Sequence, residues 1–527
     1  MAPTDLLPAS GNLYDALRAG FPADMDRPAL ALADGRAWRW RDLDAASGKI
    51  ANLLLSLDLP PEPDGSPPRL MVQTEKSPEA LLLFLAALRA GFVHVPLNPA
   101  YRDAEMQHFI EDARPAVLVC SPAAFPALST LGFQRGVRHV YTLGSAGEGT
   151  LIDRASFQPE ACATQPCTPG QAAALIYTSG TTGRSKGAQL CHAALLANAR
   201  IVGRAWGWTG ADVLVHALPI FHIHGLFVAA MGALLHGSTM RWLDRFEPQA
   251  VRAQLPGASL FMGVPTMYSR LLREPELDHA TCASLRLCVS GSAPLSAETF
   301  AAWEARTGHR ILERYGMSEA GMIASNPLHG ERRPATVGPA LPGVDLRVVD
   351  AGDRPLPAGE TGAVQVAGPS LFDGYWRQPA KTAEAFVTDA DGRRWFRTGD
   401  LGRLDAHGVL TLDGRGSDLI ISGGFNVYPA EIEQALDSLP GVAESAVIGV
   451  PHPDFGEGVL AVLVASTKPP PEDAGLLAAL RQKLAAFKCP KAIVWTEALP
   501  RNAMGKVQKK QLREQHAGAF TPGPAGG

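Results

Sequence analysis

Apolar and polar positions alternate along the first 400 residues in two rhythms. Short apolar runs such as Arg69–Gln73, Ala116–Cys120, Leu285–Ser290 and Leu346–Val349 have the length and make-up of buried strands. Between them lie longer segments, among them Ser77–Ala90, His192–Gly203 and Ala297–Thr307, with helical spacing of apolar residues. Strand–helix alternation predicts an α/β architecture with largely parallel sheets.

Near residue 410 the rhythm changes. GVLTLDGRGSDLIISGG (residues 408–424) reads as strand, Gly-rich connection, strand. A helix at Pro429–Ser438, strands at Glu444–Val450 and Val459–Ala465, and a helix at Glu472–Ala486 follow. A chain of 527 residues is too long for one ordinary core. The expectation is a large N-terminal domain of α/β subdomains (residues 1–416) and a small α+β C-terminal domain (417–527). The boundary falls near Arg415–Asp418, and the tail, ending TPGPAGG, is expected to be disordered from about residue 515.

Residues 213–240 carry no Asp, Glu, Lys or Arg. Their continuous apolar part, Leu226 to Leu235, falls short of the ~20 residues needed to span a bilayer and reads as a buried helix. Hydrophobic residues at 46% and charged residues at 19% describe a soluble globular protein, and a net charge of −4 points away from nucleic acid. Seven cysteines without a C-x-x-C pair argue for a reducing compartment. The N-terminal segment lacks the marks of a secretory or transit signal, so a cytoplasmic location is expected.

The sharpest local chemistry lies in LIYTSGTTGRSKGAQL (175–190). An apolar strand, Ala173–Tyr177, runs into Thr178, Ser179, Gly180, Thr181, Thr182 and Gly183, followed by Lys186. Glycines let backbone N–H groups converge on phosphate oxygens, hydroxyls add donors, and the lysine adds charge. No Ser or Thr follows the lysine, so this is not a Walker A loop.

TSGTTGRSKG resembles the nucleotide-phosphate loop of the adenylate-forming superfamily of acyl-CoA synthetases, firefly luciferase and peptide-synthetase adenylation domains. ERYGMSEAG (313–321), WFRTGDLG (395–402), GRGSDLIISGGFNVYPAEIE (414–433) and PRNAMGKVQKKQL (500–512) match in the same order, so the resemblance spans nearly the whole chain. It implies ATP and Mg²⁺, an acyl-adenylate intermediate, and transfer of the acyl group to a thiol, that of coenzyme A.

The resemblance also implies roles. Glu319 would bind Mg²⁺ with Thr178 beside it, carboxylate and hydroxyl oxygens being the donors this ion prefers. Ser318 stands where relatives commonly carry Thr, and Tyr315 matches the aromatic residue flanking the adenine. Asp400 matches a ribose-binding acid and Arg415 its basic partner; taken alone, either is as consistent with an ordinary turn residue. Lys506 would hold the carboxylate and the charge at the α-phosphate in the first step; by spacing alone it is one tail lysine among several. Gly423 and Gly424 would line the thiol approach, and Ser417 marks a pivot where relatives carry Lys or Asp. His222 and His224, in PIFHIHGL, are candidates for a pocket gate or carboxylate contact, with core histidines as the plainer reading.

Relatives commonly have Gly before the Tyr-Gly of this motif, and here the residue is Arg314. A guanidinium at an acyl pocket penalises an apolar tail and suits a second carboxylate, which it can bind in bidentate fashion. That predicts a short dicarboxylate, malonate with methylmalonate as a second substrate. Within the superfamily, TSGTTGRSKGA, PIFHIHGL, FMGVPTMYSRLL, VSGSAPL and ERYGM resemble the malonyl-CoA synthetases. Arg286 is a rival carboxylate binder, on the predicted strand that ends at Ser290, itself a candidate substrate contact. An AMP-forming CoA ligase for another short-chain or aryl acid is the alternative. The chain is expected to act as a monomer or homodimer without nucleic-acid or membrane partners.

Overall fold

Pro78–Arg89 (PEALLLFLAALR) is apolar nearly all round, so its helix must be enclosed by protein. Ser77 caps it by accepting the Ala80 N–H at 3.1 Å, and Pro78 takes the first turn, where its missing N–H costs nothing. Every residue of this helix except Glu79 is buried. Helices Leu13–Ala19, Trp40–Leu55, Pro78–Arg89 and His192–Ala205 pack with the segment His224–His236, and all share one core with strands of three sheets. The computed structural model describes residues 8–521 except 61, 63, 64, 179–184, 294, 296, 416–419, 428 and 501–506, and describes 413–415, 430 and 434 by backbone alone.

The eight-stranded sheet runs Gly321–Ser325, Ile311–Met317, Leu287–Ser290, Leu260–Gly263, Val213–His216, Thr239–Trp242, Pro28–Leu32, Ala37–Arg39. It is parallel except for the outermost pair at each end. The seven-stranded sheet runs Gly374–Tyr375, Lys186–Cys191, Ala172–Thr178, Val93–Pro96, Arg69–Gln73, Val117–Cys120, His139–Thr142, and only its first two pairs are antiparallel. Parallel pairing therefore holds for these two. A third sheet of five strands, drawn from Asp345–Val349, Gly362–Ala367, Phe386–Thr388, Arg394–Leu404 and Leu410–Arg415, is antiparallel throughout.

The apolar stretch after residue 213 is helical but not uniformly α. His224–Ala230 is a π-helical segment leading into the α-helix Met231–His236. The Gly225 carbonyl accepts a hydrogen bond from His216 Nε2 at 2.9 Å, and Gly225 is needed there because a Cβ would sit 2.0 Å from the Pro219 carbonyl oxygen. No helix among the described residues is long and apolar enough to cross a membrane.

The smaller C-terminal domain has its own five-stranded sheet, built on the hairpin Val442–His452 and Gly456–Ala465, with helices Pro429–Asp437 and Asp473–Lys483 on its core. The helix Lys509–Gln515 leads into turns, and the Phe520 ring packs 5.0 Å from that of His452.

Candidate active site

Strands Ala172–Thr178 and Lys186–Cys191 pair with Thr178 opposite Lys186, so the Gly-rich connection springs from a closed ladder. Ser179, Gly180, Thr181, Thr182 and Gly183 lie outside the described residues, as do Ser417 and Lys506. At the ladder's end the Thr178 hydroxyl donates to Glu319 Oε1 at 3.1 Å, and the Tyr375 hydroxyl donates to the same oxygen at 3.3 Å. Lys186 Nζ stands 5.0 Å from the centre of the Tyr375 ring, and burial beside Lys381 lowers its pKa. Three distant segments thus bring a buried carboxylate, two hydroxyls and an ammonium together. The oxygen donors suit Mg²⁺, so the set is compatible with the ion the resemblance implies.

A second cluster forms where the strand Ile311–Met317 meets the antiparallel sheet. The Tyr315 hydroxyl donates to Asp400 Oδ2, and the Asp400 N–H donates to Thr398 Oγ1 at 3.1 Å. Arg415 is the strand partner of Asp400, which places its backbone beside that carboxylate. Ser318 is half-buried next to Glu319.

The third cluster is the most unusual electrostatically. Successive residues of a strand face opposite ways, so Glu313 and Arg314 diverge. Glu313 accepts the Leu295 N–H at 3.1 Å. Arg314 is 3% exposed, and its Nε and one terminal nitrogen have no hydrogen-bond partner among the described residues. Its guanidinium lies so close to Gly291 that a Cβ there would be 2.5 Å from Arg314 Cζ. Both ring nitrogens of His224 and the Ser290 hydroxyl are likewise buried without partners among the described residues. Burial, then the nearby Arg314, pushes the His222 pKa down to about 4 and that of His224 well below the ordinary value. Both imidazoles are neutral at pH 7. Burial lowers Arg314 only to about 10, so the guanidinium stays charged.

His222 and His224 border a cavity of about 500 Å³. The large domain supplies His94, Val264, Met267 and Ser292 to it, and the small domain supplies Ser422–Phe425, Phe455, Phe487 and Lys491. Gly424 (φ 82°) can approach Val264 because it has no side chain; a Cβ would stand 3.2 Å from both Val264 methyls. Arg314 is not itself among the lining residues; it lies against Gly291 and close enough to both histidines to lower their pKa values.

Arg286 is not brought to this cluster. It precedes the strand Leu287–Ser290, and a rise of about 3.3 Å per residue sets it roughly 13 Å from Ser290. Its fork closes on Asp212 through two bonds of 2.7 Å and on the Trp206 and Gly207 carbonyls at 2.9 and 3.0 Å. In this structure its fork is engaged by the Asp212 carboxylate and those carbonyls. Sequence reasoning missed Tyr375, which lies 56 residues from Glu319 with no local pattern to mark it, and Gly291, whose need follows only from the position of Arg314.

Two family models match: "AMP-binding enzyme" over residues 19–376 and "AMP-binding enzyme C-terminal domain" over 431–506. The chain belongs to this AMP-binding, adenylate-forming enzyme family and is an AMP-forming acyl-CoA ligase. It is similar to the ATP-bound MatB of Rhodopseudomonas palustris, with 46% identity, coverage of 97% of this chain and 100% of that one, and a TM-score of 0.75. It is similar also to a malonyl-CoA ligase solved as a ternary product complex with methylmalonyl-CoA and AMP, at 37% identity over 93% of this chain and 100% of the other, with a TM-score of 0.78. A malonate–CoA ligase of Arabidopsis thaliana is 34% identical over 96% of this chain and 89% of its own length.

Proposed function

We propose that the enzyme is an ATP-dependent malonate:CoA ligase that also accepts methylmalonate. The observation that carries this reading is the buried, charged Arg314 with two donor nitrogens unpartnered, set among neutral histidines and the Ser290 hydroxyl. A buried charge without a partner is costly unless a ligand completes it. A carboxylate fits that fork, and a second carboxylate on a one-carbon spacer is then left for activation. The names of the similar ligases support the same substrate class.

In this reading one malonate carboxylate is held by Arg314, with His222, His224 and Ser290 completing its contacts. The other attacks the α-phosphorus of ATP, forming the acyl-phosphate bond and releasing pyrophosphate. Thr178 to Gly183 and Lys186 would hold the phosphates, Glu319 and Thr178 would hold Mg²⁺, which would supply neutralisation of phosphate charge, and Lys506 would stabilise charge at the α-phosphate. Tyr315 and Ser318 flank the base, and Asp400 and Arg415 take the ribose. The thiol of coenzyme A then approaches past Gly423 and Gly424, its sulfur bonds to the acyl carbon, AMP leaves, and the thiol proton passes to solvent. Residues 1–416 and 417–527 act as the two moving parts, pivoting at Ser417. The seven free cysteines suit a cytoplasmic enzyme, which would act as a monomer or homodimer.

The test is pyrophosphate release by purified enzyme with ATP, Mg²⁺ and coenzyme A, comparing malonate, methylmalonate, acetate, butyrate, octanoate and coumarate. Malonate is expected to lead, with methylmalonate second. A monocarboxylate in first place would overturn the substrate assignment and leave the ligase class intact.

A further inference from the structure

Among the described residues, Arg273–Asp454 and Lys488–Glu105 are ion pairs that cross between the large and small domains, and they differ in kind. Arg273 meets Asp454 at 2.9 Å, both side chains being largely in solvent (62% and 42% exposed). Exposed pairs of this sort contribute little. Lys488 is different. It is 2% exposed, and its ammonium lies 2.8 Å from Glu105 on the large domain's helix Asp103–Ala113 and 2.8 Å from Glu431 on the small domain's helix Pro429–Asp437. The Tyr101 ring stands 4.8 Å away, and helix Asp473–Lys483 packs against the helix carrying Glu105. Desolvation offsets much of the attraction in such a buried triad, but parting one member leaves a buried charge uncompensated and is costly.

The residue next to Lys488 links this triad to the chemistry. Phe487 stacks on Phe425, with ring centres 4.6 Å apart. Phe425 follows Gly424, which closes on Val264, and Phe487, Phe425 and Gly424 all line the cavity. We propose that Lys488 is a positioning residue for thioester formation, its ion pair to Glu105 holding the Phe487–Phe425–Gly424 wall against the cavity. Any rotation of the small domain away from this face separates Lys488 from Glu105, while the pair to Glu431 travels with the domain. The inference rests on the reading of Gly423 and Gly424 as the wall past which the thiol approaches.

Glu105→Gln is the cleanest probe. Glu105 also caps its own helix, accepting the Arg102 N–H at 3.1 Å through its other oxygen, and a glutamine carbonyl can keep that bond. Two half-reactions are measured on the full-length enzyme with whichever acid the wild type activates best: acid-dependent ATP–pyrophosphate exchange, and single-turnover transfer of preformed acyl-adenylate to coenzyme A. Glu105→Gln is expected to slow transfer about tenfold or more, with exchange changed less than about twofold. Lys488→Met is expected to give the same split, and Asp454→Asn, which breaks the exposed pair, to leave both rates within about twofold. Equal loss of both half-reactions in Glu105→Gln, unchanged transfer, or an equal slowing by Asp454→Asn would overturn the proposal. Failure of the malonate reading would show separately, in the wild-type enzyme's choice of acid.

Discussion

Gly291→Ala isolates the space that Arg314 occupies. Gly291 does not sit at positive φ, so alanine brings no backbone strain. Its Cβ would lie 2.5 Å from Arg314 Cζ, 2.6 Å from Nε and 2.7 Å from a terminal nitrogen, whereas ordinary contact begins at 3.4 Å. The guanidinium must therefore retreat by about 0.9 Å (3.4 minus 2.5). Overpacking of this size costs ~1–3 kcal/mol, and a displacement of about 1 Å in a substrate-holding group costs about 100-fold. Steady-state pyrophosphate release is expected to show kcat/KM for malonate falling about 100-fold, that for propionate falling far less, and KM for ATP nearly unchanged. Placed on Arg314→Ala, the same alanine should cost less than ~0.5 kcal/mol, since the side chain it would clash with is gone. Malonate kinetics within about threefold of wild type, or equal losses for both acids, would refute the claim that Gly291 makes room for a carboxylate-reading guanidinium.

Arg314→Met removes an unsatisfied buried charge, and relief of ~1–3 kcal/mol should raise the ligand-free Tm by about 1–4 °C in calorimetry; a fall of several degrees would mean that the guanidinium is a structural group. Arg286→Ala strands the buried Asp212 carboxylate and should cost about 2 kcal/mol, seen as a lower Tm with the malonate KM unchanged. Burial lowers His94 to about 3 and His192 to about 4 from an ordinary 6.5, so the unfolded chain takes up protons first. Their contribution to stability is complete above pH 6.5 and is lost as pH falls towards about 4 for His192 and about 3 for His94, and a Tm that holds steady over that window would contradict the burial of neutral histidines.

Much of this was legible in the sequence where one local pattern sufficed. Arg69–Gln73 and Ala297–Thr307 match their predicted bounds because two-faced burial and helical spacing are written locally. The antiparallel sheet from Asp345 to Arg415 was not foreseen, since its pairing joins segments whose apolar runs look like those of parallel strands. Arg314 stood out because a charge occupied a position usually held by glycine, and its lack of partners gives that oddity a physical meaning. Arg286, the rival carboxylate binder, lies at the far end of its strand from Ser290, and its pairing with Asp212 depends on long-range packing that spacing does not announce. The convergence of Thr178, Glu319 and Tyr375, and the triad of Glu105, Glu431 and Lys488, depend on long-range packing that no spacing announces.

The most direct measurement compares kcat/KM for malonate with that for propionate, which differs by a methyl in place of one carboxylate, in wild type and in Arg314→Met. Wild type should prefer malonate strongly, and the variant should lose about 100-fold or more of that ratio, because a malonate carboxylate then meets a pocket without its cation. A ratio that survives the substitution would show that Arg314 does not read the second carboxylate.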